Sequence, residues 1–330
     1  MTQVVTESVR IVRETTTVPV SAIVPTQNRT RILERMLESL RVQGLLPAEL
    51  IVIDASSDDS TRIIVENFAA QVHGVGCRVL WRSATKMGAA VQRNQAAALV
   101  TQPVVGFFDD DIVFESDCIA RLWRALQSAP GIGGVNAMIT NEYYTPPGRV
   151  SRFLFRMLAG ERRESYAGRV IGPAVNLLPE NGDHLPEIVP VEWLNTTCTL
   201  YRREALNDPP FSDFFTGYSL FEDLSLSLAV ARHWKLLNAR TARIFHDSQP
   251  GQHKNDPAAL AKMQLVNRHF VMARVMGRRR ASDYAKLAVW ELFQLLVAAI
   301  QQRGGRAFRR MLKGKIQGMW EIMRTRSVVP

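Results

Sequence analysis

Short apolar runs alternate with amphipathic stretches along the first third of the chain. Residues 20–24, 50–53, 78–81 and 104–108 are each typical of a buried strand. Between these runs, apolar residues recur at the spacing of one helix face. Strands that alternate with helices predict βαβ units around a mostly parallel sheet.

The pattern changes in the middle of the chain. A predicted helix at 119–126 and a strand at 133–139 precede a stretch from 141 to 190 that is rich in Pro, Gly and Arg. We expect this stretch to be irregular, and its length favours a functional loop or insertion. Residues 191–201 are again strand-like, and residues 221–234 form a predicted helix.

A cluster with polar side chains follows each of three predicted strands. The clusters are Pro25 with Thr26, then Asp54, and then Asp109 with Asp110 and Asp111. Ligands of open parallel sheets bind beyond these ends, so the residues should converge on one crevice. Adjacent carboxylates repel one another unless a cation lies among them. Asp109 and Asp111 therefore suggest a divalent metal site, with Asp110 facing the other way; a solvated acidic turn is the alternative.

Composition limits the class of protein. The chain has 330 residues, 46% of them hydrophobic and 22% charged, which is typical of a globular protein. Cys77, Cys118 and Cys198 are far apart, which argues against a zinc site or a disulfide framework and suits a reducing compartment. Without an apolar run of signal-peptide or membrane-spanning length, the sequence predicts a cytoplasmic protein.

The positive charge is concentrated at the C-terminal end. The whole chain has a net charge of +10, and residues 274–330 alone hold thirteen Lys or Arg against three acids. Such a basic, partly apolar helical region can lie on an anionic membrane surface. A solvated helical face that covers the domain is the main alternative. Nucleic-acid binding would rest on this region only, and we do not expect it.

Five segments of the chain resemble, in the same order, the motifs of the family-2 nucleotide-sugar glycosyltransferases. The resemblance extends over roughly residues 20–270 and includes a Gly-x-x-x-x-Arg-Asn helix, a DXD-like run and a late Glu-Asp pair. The segments are residues 21–29, 51–61, 88–94, 108–111 and 222–223. One of these motifs alone is weak evidence, but five in order are specific.

The resemblance implies an α/β fold of the GT-A type. This is a Rossmann-like, mostly parallel mixed sheet flanked by helices, here with a helical basic C-terminal extension. Residues 1–18 would be a flexible segment and residues 19–270 the catalytic domain. Within that domain, residues 19–115 would bind the nucleotide-sugar and residues 116–270 the acceptor. Residues 271–330 would form the basic region, which could contact a membrane surface.

The resemblance also implies a donor site. Asp109, Asp111 and His246 would hold Mg²⁺ or Mn²⁺, with Asp111 in direct contact and Asp109 either near the ribose or linked to the metal through water. The nucleotide-diphosphate sugar would contact Pro25, Thr26, Asp54, Arg93, Asp109 and Asp110. For Arg93, pairing with phosphate is the functional interpretation, and an ordinary surface helix arginine is the alternative. A structural role is the alternative for His246.

Asp223 would act as the general base on the acceptor hydroxyl, with Glu222 as an orienting neighbour. Attack from the face opposite the diphosphate would invert the anomeric centre. Both acids would also suit a helix N-terminus, which is the structural alternative. Trp193 and Tyr218 would line the acceptor pocket, and core packing is the competing interpretation for each.

Taken together, the sequence predicts a metal-dependent inverting glycosyltransferase that uses a nucleotide-activated sugar. The acceptor would be a glycan or a lipid-linked hydroxyl, for example in bacterial exopolysaccharide or surface-glycan assembly at the inner face of the cell membrane. Two other interpretations remain. One is a catalytically silent, nucleotide-sugar-binding scaffold of a polysaccharide assembly complex. The other is a nucleotidyltransferase, although the turn after Pro25 lacks the usual glycine content.

Overall fold

The computed structural model describes residues 15–249, 256–301 and 305–326. Its main sheet begins with four parallel strands in the spatial order β3, β2, β1, β4. They are β1 (Thr16–Thr26), β2 (Leu45–Asp54), β3 (Arg78–Ser83) and β4 (Val104–Phe108). All four strands predicted from the apolar runs are confirmed, and their carboxyl ends meet at one edge of the sheet.

Beyond β4 the sheet becomes mixed. The strand β10 (Cys198–Arg202) lies antiparallel between β4 and β6 (Ile132–Ile139). The next strand, β11 (Lys235–His246), is parallel to β6. Two short strands, β5 (Ile112–Phe114) and β9 (Ile188–Val191), pair antiparallel with opposite ends of β11. The predicted mostly parallel mixed sheet is therefore confirmed.

Helices cover both faces of this sheet. Alternation along the strands sends neighbouring side chains to opposite faces, so Phe108 and Phe107 belong to two different apolar clusters. The cluster around Phe108 is covered by α1 (Thr30–Arg41), α2 (Ser60–Val72) and α4 (Cys118–Gln127). The cluster around Phe107 is covered by α3 (Ala89–Ala97), α6 (Glu222–Val230) and α7 (Pro257–Phe270).

The segment between β6 and β9 is more regular than the sequence predicts. It contains a helix, α5 (Arg149–Ala159), and a hairpin made of β7 (Val170–Ile171) and β8 (Val175–Asn176). The prediction of an irregular course is therefore wrong for these residues. Glycine marks both ends of α5, because Gly148 precedes it and Gly160 follows it with a left-handed φ of 80°.

The first strand also begins earlier than predicted. It starts at Thr16, so the last residues of the predicted N-terminal segment belong to the sheet. The register between β1 and β2 shifts between Val18 and Ser21, where Pro19 has no backbone N–H to donate. Residues 1–14 of that predicted segment lie outside the described residues.

The C-terminal region consists of two long helices, α8 (Ala281–Gln301) and α9 (Gly305–Arg326). Helix α9 packs closely against α7 because two glycines face that helix. A Cβ atom added to Gly314 would lie 2.1 Å from the carbonyl oxygen of Ala258, and one added to Gly318 would lie 3.3 Å from that of Lys262. No helix among the described residues has both the length and the apolar character needed to span a bilayer.

Candidate active site

Three potential metal ligands meet at the carboxyl edge of the sheet. One side-chain atom each from Asp109, Asp111 and His246 lies within 4.8 Å of the other two. The aspartates follow β4, and His246 is the last residue of β11. Two carboxylates and one imidazole form a donor set that suits Mn²⁺ or Mg²⁺. The structure thus brings together the three ligands named from the sequence.

His246 is held between two carboxylates. Its Nε2 lies 3.3 Å from Asp111 Oδ1, and its Nδ1 lies 3.1 Å from Glu142 Oε1. Burial lowers the pKa of His246, but these two contacts outweigh burial and raise the pKa to about 10. Asn141 fixes the backbone here, because its side chain both donates to His246 O and accepts from His246 N. Glu142 is not predicted from the sequence, because it follows a strand without any motif to mark it.

Asp110 faces away from this cluster, as expected from alternation. Its carboxylate accepts a hydrogen bond from Thr26 Oγ1 at 2.7 Å and one from Arg29 Nη1 at 3.0 Å. The same Arg29 atom lies 3.3 Å from Asp111 Oδ2. Burial raises the pKa of Asp110 to about 6, even though Arg29 and Thr26 act against this. Arg29 therefore partly neutralises the acidic run, a role that the sequence analysis did not assign.

Arg93 lies at the centre of the site. It is only 3% exposed, which excludes the surface-arginine alternative. Its guanidinium donates to Asp109 Oδ1 at 2.6 Å and to Glu222 Oε1 at 3.0 Å. Arg93 thereby links the acidic run after β4 to the start of α6. In this arrangement its donors are directed to carboxylates, so a contact with phosphate stays a prediction.

Helix α6 begins with the Glu222–Asp223 pair, directly after a strained turn. Phe221, immediately before it, has a φ of 71°, and Ser219 has a φ of 57°. Burial raises the pKa of Glu222 to about 8, and the charge of Asp223 adds to this. Burial likewise raises the pKa of Asp223 to about 6, against the hydrogen bond from the Leu224 N–H. Asp223 is therefore a carboxylate that can accept a proton near neutral pH.

The turn before α6 lies against the start of α3. Gly88 and Gly217 form a β-bridge, and a Cβ atom at Gly88 would lie 3.2 Å from Gly217 O. The φ of 131° at Gly88 also disfavours any other residue there. Glycine is therefore required at this contact, which brings the segment around Tyr218 close to the donor side of the crevice.

Asp54 and Thr26 lie at the ends of neighbouring strands. The carboxylate of Asp54 accepts from the Ser56 N–H at 2.8 Å and from Trp81 Nε1 at 3.1 Å. Gln92 of α3 ties the two strand ends together, because its amide donates to Thr26 O and to Ile53 O. Pro25, like these two residues, is buried. These hydrogen bonds fix the two strand ends relative to each other.

The two acceptor residues named from the sequence lie in different environments. Trp193 is 5% exposed, belongs to the apolar cluster around Phe107, and donates through Nε1 to Leu177 O at 2.7 Å. Its indole is therefore not available to stack on a sugar, which favours core packing. Tyr218 is 36% exposed, and burial together with the nearby charge of Asp109 raises its pKa. Of the two, only Tyr218 lies at the crevice.

A cavity of about 480 Å³ lies at the opposite end of β4, beside Val104 and Glu204. Another, of about 560 Å³, lies beside β7 and β9. Neither is lined by the carboxylates that follow β4. Both cavities therefore lie away from the cluster of carboxylates at the carboxyl edge of the sheet.

Comparison with known proteins finds sequence similarity in the N-terminal half of the chain. Residues 21–175 match the family model described as Glycosyl transferase family 2. A curated relative, the GalNAc(5)-diNAcBac-PP-undecaprenol beta-1,3-glucosyltransferase of Campylobacter jejuni, is 29% identical over 104 residues. That match covers 32% of this chain, which spans about a third (33%) of the length of the relative.

Solved structures share the fold at low sequence identity. The mannosyltransferase PcManGT of Pyrobaculum calidifontis, solved with GDP-Man and Mn²⁺, is 14% identical with a TM-score of 0.54. The match covers 92% of this chain and 87% of that one. GalNAc-T7, solved with UDP, GalNAc and Mn²⁺, is 13% identical with a TM-score of 0.51, over 82% of this chain and 54% of that one.

At these identities the structural likeness concerns the fold alone. The family match covers β1 to β8, including the run after β4, and the fold likeness continues through the C-terminal half. On these findings the chain has the GT-A fold, and the segment from residue 21 to residue 175, slightly less than half of the chain, is similar to glycosyl transferase family 2.

Proposed function

We propose that the protein is a metal-dependent, inverting glycosyltransferase that uses a nucleotide-diphosphate sugar. The observation that supports this most directly is the cluster of Asp109, Asp111 and His246 beside the buried Glu222–Asp223 pair. Arg93 forms ion pairs with Asp109 of the metal cluster and with Glu222, the neighbour of Asp223. A donor site and a proton acceptor are thus adjacent.

The residues fit a divalent metal. Asp109 and Asp111 each present an oxygen, and His246 presents a nitrogen, within one small cluster. Bound there, Mg²⁺ or Mn²⁺ would neutralise the charge that develops on the leaving diphosphate. Arg29 and Arg93 would add positive charge around the same group. We infer that Pro25, Thr26, Asp54 and Asp110 contribute to the nucleotide side of the crevice.

Asp223 is the proposed general base. A carboxylate with a pKa of about 6 is ionised at neutral pH and accepts the proton of the acceptor hydroxyl as the new bond forms. Attack of the deprotonated hydroxyl from the face opposite the leaving diphosphate would invert the anomeric centre. Arg93 and Glu222 would orient this carboxylate, and Tyr218 would contact the acceptor.

We further propose that the acceptor is lipid-linked. The curated relative carries a name that places its acceptor on undecaprenol. An acceptor of that kind is presented at a bilayer, so the enzyme would work as a peripheral protein at the inner face of the cell membrane. Assembly of an exopolysaccharide or a related surface glycan is the process that this proposal favours.

Calorimetric titration of UDP, GDP and dTDP, each with and without Mn²⁺, tests the donor site. We expect one nucleotide to bind in a Mn²⁺-dependent way, and Asp111→Asn to weaken that binding at least about tenfold because a charged ligand is lost. Glu204→Gln is the matched control, since this exposed carboxylate lies at the opposite end of β4.

Two outcomes would contradict the proposal. One is a folded wild-type protein that binds none of the three nucleotides. The other is a nucleotide that binds equally well to wild type and Asp111→Asn. Binding without transfer of sugar from the corresponding donor to a lipid-linked acceptor would instead favour the scaffold interpretation.

A further inference from the structure

Large apolar side chains are unevenly exposed on this protein. Twelve of the twenty exposed large apolar side chains among the described residues belong to three helices, α5, α8 and α9. Exposed apolar groups scattered singly need no explanation, but a concentration on adjacent elements indicates a binding surface. The twelve are Val150, Phe153, Met157, Val289, Leu292, Leu296, Ile300, Leu312, Ile316, Met319, Trp320 and Met323.

On each helix these residues form one continuous stripe. In α9 they recur every three or four residues over three turns, which places them within an arc of about 100°. The stripes of α5 and α8 follow the same spacing and are narrower. The opposite sides of the three helices carry buried residues, such as Leu158, Trp290 and Gly314. Each helix therefore has one face in the protein and one apolar face outside it.

The three helices are packed against one another. Phe155 of α5 lies 6.3 Å from Trp290 of α8, measured between ring centroids, and Lys286 Nζ donates to Leu158 O at 2.8 Å. On the other side of α8, the carboxylate of Glu291 forms an ion pair with Lys315 of α9. These contacts join the helices into one structural unit.

Positive charge borders the apolar stripes. Helix α5 has three arginines and no acid, and all three are exposed. Helix α9 has exposed basic residues next to its stripe, and its single acid, Glu321, pairs with Lys262 at 2.6 Å. The exposed basic residues on the two helices are Arg149, Arg152, Arg156, Arg306, Arg309, Arg310, Lys313 and Arg324.

We propose that α5, α8 and α9 form a membrane-binding surface that lies in the headgroup region of an anionic bilayer. Apolar side chains that include Trp, Phe and Leu, bordered by Lys and Arg, are the features of helices that lie in the interface plane. This proposal rests on the proposed function, because a lipid-linked acceptor requires the enzyme to reach a bilayer.

Charge favours a bilayer over a second copy of the chain as the occupant. A symmetric pair would bring the basic borders of two identical surfaces together, and such like charges repel. Anionic lipid offers the complementary charge. The apolar stripes would add burial of apolar side chains in the headgroup region.

The surface is close in the chain to the candidate active site. Glu142 contacts His246, and α5 begins a few residues later at Arg149. A short loop therefore joins the membrane-binding surface to the metal cluster. Docking through α5 would hold the crevice near the bilayer, where a lipid-linked hydroxyl is presented.

Co-sedimentation with vesicles tests this surface. We expect the full chain to bind vesicles of phosphatidylglycerol and phosphatidylcholine more tightly than vesicles of phosphatidylcholine alone, with weaker binding at high salt. The double variant Ile316→Glu/Trp320→Glu should lose at least about tenfold in binding, because it places two carboxylates in the stripe of α9. Val42→Glu/Ile63→Glu is the matched control, since these exposed side chains lie outside the three helices.

Four results would overturn the proposal. They are no binding to anionic vesicles, equal binding of both double variants, binding that does not depend on salt, and a wild-type dimer that the α9 variant converts to monomer. Mn²⁺-dependent nucleotide binding of the same samples separates this proposal from the proposed function. Protein that binds nucleotide but not vesicles contradicts only the membrane surface, and protein that binds vesicles but not nucleotide contradicts only the enzyme.

Discussion

At the scale of single residues, Asp223 is the side chain whose role is most directly testable. Asp223→Asn removes the proton acceptor but keeps the size of the side chain. We expect the rate of sugar transfer to fall by about 10² to 10⁴, the usual contribution of a general base, with nucleotide binding unchanged. Single-turnover transfer and calorimetric titration of the same protein measure the two effects. Loss of nucleotide binding together with transfer would assign Asp223 to the donor site instead.

The raised pKa of Asp223 predicts a pH dependence. A general base acts only when it is ionised, so if Asp223 is the proposed base, its pKa of about 6 means that transfer should fall as the pH drops through 6. The ordinary aspartate pKa of about 4 would place the fall two units lower. A profile of kcat/KM between pH 4.5 and 8 measures the midpoint. A flat profile down to pH 5 would contradict a buried carboxylate base.

Arg93 neutralises two carboxylates that belong to different elements. Arg93→Met would leave Asp109 and Glu222 without their shared cation, and removing one partner of a buried ion pair costs about 3–5 kcal/mol. We expect a clearly lower free energy of unfolding by urea denaturation and weaker nucleotide binding. Arg62→Met is the control, because its ion pair with Glu66 is exposed and contributes little. Equal stability of the two variants would show that Arg93 is not structurally important.

At the scale of elements, α7 supports the start of α6. Asn267 Nδ2 donates to Leu220 O at 2.7 Å, and the guanidinium of Arg268 lies 4.6 Å from the ring centroid of Phe221. Both contacts fall on the strained turn that precedes Glu222. Arg268 is also tied to the β7–β8 hairpin, because Nη1 donates to Ala174 O at 2.6 Å. We infer that these two residues position the Glu222–Asp223 pair.

Asn267→Ala is the variant that tests this positioning. Loss of one hydrogen bond should let the turn relax and lower the transfer rate by about tenfold, since misplacing a catalytic group is costly. Because the general base itself is retained, the midpoint of the pH profile should shift toward lower pH as the carboxylate becomes more solvated. An unchanged midpoint and rate, in a folded variant, would show that Asn267 has no positioning role.

The sequence predicts elements better than it predicts their partners. The apolar run 104–108 and the acids after it are local features, so β4 could be identified from the sequence and Asp109 and Asp111 could be named as candidate metal ligands. The partners of Arg93 are distant in the chain, so its burial between two carboxylates could not. Helix α5 was missed for another reason. Gly, Pro and Arg are frequent in residues 141–190, which favours an irregular course, although Gly148 and Gly160 were available signals for the two ends of α5.

At the scale of the whole molecule, the C-terminal helices are part of the main fold. Arg268 of α7 lies 3.4 Å from Glu291 of α8, and Glu291 also pairs with Lys315 of α9. These three side chains are buried, so deletion of residues 274–330 would remove both the carboxylate that pairs with Arg268 and the helix that packs against it. Point substitutions on the outer faces of α8 and α9 are therefore better tests of membrane binding than truncation.

The contact between α7 and α9 can be used to test whether the C-terminal helices are part of the main fold. Gly314→Ala would place a methyl group 2.1 Å from Ala258 O, a backbone atom that cannot move aside cheaply. We expect a loss of about 1–3 kcal/mol in the free energy of unfolding, as for other overpacked sites. Gly305→Ala is the matched control, because the same helix offers open space there and alanine favours a helix.

Thermal unfolding shows whether α7 to α9 unfold together with the sheet or whether residues 271–330 unfold as an independent unit. We follow it in parallel by far-UV circular dichroism and by the nucleotide-binding signal. If α7 to α9 and the sheet unfold together, Gly314→Ala lowers one shared midpoint in both signals, and Gly305→Ala does not lower it. If residues 271–330 form an independent unit, the dichroism shows a second transition that alone responds to Gly314→Ala. Because the Arg268 network connects the helices to the turn before Glu222, we expect the shared midpoint.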